Sequence, residues 1–115
     1  MTASDSTDLI RRLIVALGPT LVSTLAGSRD TQAATSWVQA RGARPNAEAI
    51  ARLECAEVVW RIISDAEGDQ VARLWFVGAN PFLRDESTAI TAIRDGRFDE
   101  VIGAAQSLVD GSFSG

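Results

Sequence analysis

The chain reads as an all-α protein, and three observations carry that reading. Its apolar residues recur at intervals of three and four in one run after another, the spacing that lines one face of a helix. Between the runs stand residues that stop or start helices: Gly18-Pro19, Ala26-Gly27, Gly42 to Pro45 before Asn46, Gly68, Asn80-Pro81 and Asp95-Gly96. Finally, 46% of the 115 residues are apolar, enough to pack a core in a chain whose length suits one domain, or two small helical units sharing a core.

Residues 1–7 are polar and small and should fray. From Asp8 the stripe Leu9, Ile10, Leu13, Ile14, Leu17, with Arg11 and Arg12 opposite, predicts an amphipathic helix ended by Gly18. Pro19 suits the first turn of a second helix carrying Leu21, Val22 and Leu25. Asn46 should cap a long helix with Glu48 in its first turn, running through Ile50, Leu53, Val58, Val59, Trp60, Ile62 and Ile63 to about Ala66.

An acidic turn is expected at Asp65 to Asp69, and it matches no full calcium-loop pattern. The next helix carries Val71, Leu74 and Trp75 and stops near Gly78, because Asn80-Pro81 cannot continue it. Asp85-Glu86-Ser87 should cap a short helix with the stripe Ile90 and Ile93, stopped by Asp95-Gly96. Phe98 to Asp110 is the last helix, with Val101, Ala105, Leu108 and Val109 on one side.

Absences narrow the chemistry. There is no His, Lys or Tyr, so the commonest general base, the Schiff-base nucleophile and the phenolic acid are all missing, and an enzyme is not expected. The single Cys55 forms no internal disulfide and no metal cluster; it falls within the long helix and reads as a small buried hydrophobe. Glu54 and Glu57, three apart and without His ligands, should pair with Arg61 and Arg52. No cofactor or metal is expected. No apolar run is long enough to span a membrane and the first residues lack a signal-peptide pattern, so a soluble, cytoplasmic protein is expected.

The net charge of −4 is unevenly placed. Residues 1–47 carry five Arg against three Asp, net +2, and the remainder six Arg against twelve carboxylates, net −6. That distribution suits nucleic acid on one side and a basic partner on the other, although solvated helix faces account for the same counts.

Ser28 to Gly42 follows a short helix and a Gly-containing turn, and has an aromatic, Trp37, near its middle, which is the outline of a helix-turn-helix. With Leu25, Ala34, Trp37 and Val38 packed, Gln32, Thr35, Ser36 and Gln39 face outward, where short polar side chains can read base edges. Arg29, Arg41 and Arg44 flank them as phosphate contacts. A helix-turn-helix used only for packing or dimerisation is the competing reading.

Residues 71–115 carry a composite motif: Ala72-Arg73-Leu74-Trp75, Asn80-Pro81-Phe82-Leu83, the helix start Glu86-Ser87-Thr88, Arg94-Asp95-Gly96, and Val109-Asp110-Gly111-Ser112-Phe113. It resembles the C-terminal toxin-binding domain of the Xre/MbcA/ParS antitoxins, partners of RES-domain toxins, and departs from their usual pattern at Arg84-Asp85-Glu86. The region upstream resembles the degenerate Xre-like helix-turn-helix that precedes that domain.

The resemblance implies an Xre-like helix-turn-helix region at 1–45, a connecting long helix at 46–68 and a toxin-binding domain at 69–115. It also implies an antitoxin that blocks an NAD-degrading RES toxin, forms a homodimer or higher toxin-antitoxin assembly, and represses its own operon through operator DNA. Arg73, Trp75, Asn80, Pro81 and Phe82 would shape or support the contact surface, while Ser112, Phe113 and Gly115 would lie at the toxin's active-site entrance. A helical hairpin in which Trp75 and Phe82 are core is one competing reading. A stand-alone helix-turn-helix regulator with a C-terminal dimerisation domain is the other.

Overall fold

The computed structural model describes the backbone of residues 3–39 and 41–114 and the side chains of residues 6–39 and 41–111. The protein is all-α: among the described residues there are seven α-helices and no strand, only an isolated bridge between Ala79 and Thr88. They are α1 (Ala3–Leu17), α2 (Pro19–Leu25), α3 (Ala33–Trp37), α4 (Ala47–Glu67), α5 (Asp69–Val77), α6 (Ala89–Arg94) and α7 (Phe98–Ser114), with a short 3-10 turn at Arg84–Glu86.

The predicted stops and starts explain most boundaries. Leu9, Ile10, Leu13 and Leu17 form the buried stripe of α1, and the Gly18 amide closes that helix on the Ile14 carbonyl at 2.8 Å. The helix begins at Ala3, ahead of the expected Asp8, since the residues before the apolar stripe join a helix that the stripe has already seated. Pro19 occupies the first turn of α2. Asn46 caps α4, its Oδ1 accepting the Ala49 amide at 2.8 Å.

Helix α4 is the axis of the fold. It packs against α1, α2, α5, α6 and α7, and Leu53, Ala56, Val59 and Ile63 on it are fully buried. One apolar cluster takes in Leu13, Leu25, Ala34, Leu53, Phe76, Ile93 and Val101, so the segments 1–45, 46–68 and 69–115 all contribute to the same core. Glu57 of α4 also receives Arg12 from α1 at 2.8 Å and Arg61 at 3.5 Å. Arg52 pairs with Glu48, not with Glu54, and donates to the Ala26 carbonyl at 3.3 Å.

Three local expectations are corrected. The acidic turn at 65–69 shrinks to one residue, Gly68, whose φ of 92° ends α4 and lets α5 begin at Asp69. The cap of α6 is Thr88, whose hydroxyl accepts the Thr91 amide at 3.1 Å, because Asp85 and Glu86 sit in the left-handed region with φ of 58° and 52°. The last helix runs past Asp110 and through Gly111 to Ser114, as a helix can when an interior glycine costs it only about 1 kcal/mol.

Candidate functional site

Helix α5 has apolar residues on two sides, and the core accepts only one of them. Ala72 and Phe76, one turn apart, are fully buried, with the Phe76 ring 6.2 Å from Trp60 and edge-on to Trp75 at 6.0 Å. Val71 and Leu74, which the spacing marked only as apolar positions of this helix, lie outward, Leu74 with 64% of its surface exposed. Asp69, Gln70 and Arg73 occupy one side of this nine-residue helix, and the apolar arc opposite them is wider than the side that the bundle covers, so part of it stays in solvent.

The chain after α5 raises the second wall of this surface. Ala79 bridges to Thr88, and the Asn80 amide donates to the Ser87 carbonyl at 3.2 Å, which ties the loop's two ends together. Asn80 is almost fully buried; its Oδ1 accepts the Phe82 amide at 2.9 Å and its carbonyl accepts the Leu83 amide at 3.0 Å. Leu83 is buried as well. Two anchors therefore hold the loop on either side of Pro81 and Phe82, and the Phe82 ring is left 57% exposed. Arg97 secures the far end by donating to the Ser87 hydroxyl at 2.9 Å while it pairs with Glu100 at 2.6 Å.

Between these walls lies an open apolar groove of about 420 Å³, lined by Val71, Leu74, Trp75, Asn80, Pro81 and Phe82, with Leu108 of α7 opposite. Three large exposed apolar side chains so close together mark a binding surface more readily than scattered ones do. The structure thus gathers Trp75, Asn80, Pro81 and Phe82 at one place. Asn80 is almost fully buried, and its side chain builds the loop. Arg73 points elsewhere, its Nε donating to the Ala16 carbonyl at the end of α1 at 3.0 Å. The side chains of Ser112 and Phe113, and all of Gly115, lie outside the described residues. The sequence reading missed the exposure of Val71 and Leu74; the signal for it was the presence of apolar residues on two sides of one short helix, whereas Leu108 is half-buried against the core.

The other candidate residues surround α3. That helix spans only five residues of the stretch from Ser28 to Gly42 in which the helix-turn-helix outline placed its second helix, and Asp30 precedes it. Buried Ser23 explains its position: the hydroxyl donates to the Pro19 carbonyl at 2.7 Å and accepts the Ala34 amide at 2.9 Å, fixing the start of α3 on α2. Asp30 Oδ1 accepts the Gln32 amide just before it. After Trp37 the chain turns tightly, and a Cβ on Gly42 would overlap the Ser36 carbonyl oxygen. Arg29, Gln32, Gln39, Arg41 and Arg44 are exposed, whereas Thr35 and Ser36 are half-buried. Arg44 lines a polar hollow at the start of α4 with Trp37 and Arg52.

Cys55 is buried, and burial, followed by the charge of Asp99, pushes its thiol up to about 12. Among the described residues no group of His, Cys, Asp or Glu is placed to hold a metal ion, and no helix is long and apolar enough to cross a membrane. No protein-family profile, curated protein or solved structure matches the chain.

Proposed function

We propose that this chain is the antitoxin of a type II toxin-antitoxin system, and that it binds and blocks a RES-domain toxin that degrades NAD. The observation that carries the reading is the open groove between Leu74, Trp75 and Phe82, which falls within the Ala72-Arg73-Leu74-Trp75 and Asn80-Pro81-Phe82-Leu83 motifs of the resemblance. Inhibition of this kind asks for no catalytic group. It asks for a few apolar anchors that enter a pocket and a rigid element to present them. Phe82, held between buried Asn80 and Leu83, meets that description.

Within the same proposal, residues from Gly111 onward reach the toxin's active-site entrance, and Arg29, Arg41 and Arg44 contact operator DNA to repress the operon. The net charge of +2 over residues 1–47 and the exposure of these arginines support the DNA contact.

Co-expression with a neighbouring RES-domain reading frame tests the proposal through growth and cellular NAD. Restored growth and NAD are expected with the intact chain. Loss of rescue is expected with Leu74→Ser plus Phe82→Ser, and with a chain ending at Asp110. Arrest that persists beside the intact chain would overturn the antitoxin reading, and full rescue by the double variant would remove the groove from it. A stand-alone regulator, the alternative, would bind its operator with no effect on the toxin.

A further inference from the structure

We infer that the polar hollow beside the start of α4 seats a phosphate of the DNA backbone between Arg44 and Arg52; the inference rests on the DNA contact in the proposed function and names the place that makes it. The hollow is an open cavity of about 420 Å³ whose walls come from three parts of the chain. Ala26, Gly27 and Ser28 follow α2, Trp37 ends α3, and Arg44 and Arg52 stand before and within α4.

Two guanidinium groups from different parts of the chain line it. Arg52 is fixed: its Nη1 donates to the Ala26 carbonyl at 3.3 Å, and the group lies so close over Gly27 that a Cβ there would come within 2.6 Å of it. Gly27, at φ of 94°, is therefore the residue that lets a side chain of α4 reach across to the turn after α2. The Nε and Nη2 groups of Arg52 make no hydrogen bond among the described residues, and Arg44 has neither a hydrogen bond nor an ion pair among them. The one acid in the lining is Glu48, 4.0 Å from Arg52 Nη1 with 81% of its side chain exposed, so water screens it. Two Arg against one Glu leave the lining with a net charge of +1.

That chemistry selects the occupant. Guanidinium forks from two sides match the several oxygens of a tetrahedral phosphate better than the two of a carboxylate. Arg29, next to Ser28, and Arg41, three residues before Arg44, are both exposed and extend the positive charge along the neighbouring turns, as a run of phosphates requires and a single small anion does not. Helix α3 is a poorer anchor, being five residues long with Thr35 and Ser36 half-buried. A phosphate contact carries no sequence information, so the hollow fixes the protein's position on DNA and leaves base reading to other side chains.

The test titrates the full chain, labelled with ¹⁵N, with a duplex from upstream of its own reading frame, a shuffled duplex, inorganic phosphate and a glutamate-rich peptide. Both duplexes should shift the amides of residues 26–28 and 46–49 and the Trp37 indole, and inorganic phosphate should shift the same signals weakly. Arg44→Gln changes an exposed side chain without disturbing the packing; it should weaken both duplexes by the same factor, about tenfold, and lower the slope of log affinity against log salt by about 1. No duplex binding, phosphate bound while the duplexes are ignored, tighter binding of the acidic peptide, or unchanged affinity in Arg44→Gln would each overturn the inference. Duplex shifts confined to residues 29–36 would also overturn it while leaving operon repression standing. Binding at the hollow by a chain that fails to neutralise the toxin would sink the antitoxin reading alone.

Discussion

Asn80 and Phe82 are joined by one hydrogen bond that shapes the groove: the buried Asn80 Oδ1 accepts the Phe82 amide at 2.9 Å, and the Phe82 ring projects into solvent. Replacing Asn80 by Ala leaves that amide without its partner and frees the loop. We expect Asn80→Ala to lower the unfolding free energy by about 1–3 kcal/mol, read from urea denaturation, and to speed exchange of the Phe82 amide. Unchanged stability and exchange would show that the loop is held by other means.

The groove residues should be dispensable for folding. Leu74 and Phe82 are more than half exposed, so Leu74→Ser and Phe82→Ser should each change stability by no more than about 0.5 kcal/mol. Phe76→Ser, on the buried side of the same helix, should cost several times more, about 3 kcal/mol or above. Thermal melts of the three variants check the contrast. A large loss at Leu74 would mean that its side chain is needed by the core.

Ser23→Ala probes the other end of the molecule. The hydroxyl is fully buried and connects α2 to the first turn of α3, so its removal should cost about 1–3 kcal/mol and loosen α3 ahead of the rest. Faster amide exchange at Ala34 to Trp37, with α4 still protected, is the expected signature.

Cys55 should be inert while the protein is folded. Its thiol is shifted from an ordinary value of 9.0 up to about 12, so alkylation at pH 8 should be about a thousandfold slower in the native chain than in the denatured one. The shift also sets a pH dependence. Between pH 9 and 12 the unfolded chain loses a proton that the native chain keeps, so this group leaves stability unchanged below pH 9 and lowers it progressively above. Urea titrations at pH 7 and pH 10.5 should show that decline, and Cys55→Ala should lack it.

Much of the helical frame follows from local signals. Gly18-Pro19 and the Asn46 cap mark boundaries through residues within one turn of them, and the structure places them as that chemistry requires. Partnerships across the chain were beyond such reading. Ser23 holds the start of α3 eleven positions away, and Arg12 finds Glu57 across 45 positions, where helical spacing suggested only Arg61 and Arg52.

The candidate groove was half visible for the same reason. Asn80-Pro81-Phe82 announces a turn, but which side of α5 the core would accept depended on where α4 presented Trp60 to Phe76. Spacing alone marked Val71 and Leu74 as apolar without saying that they face solvent.

Amide hydrogen exchange on the purified complex of this chain with a RES-domain toxin tests the central claim most directly. The account predicts new protection over residues 71–82 and around Leu108 relative to the free chain. Protection confined to residues 28–44, with the groove exchanging as freely as before, would contradict it.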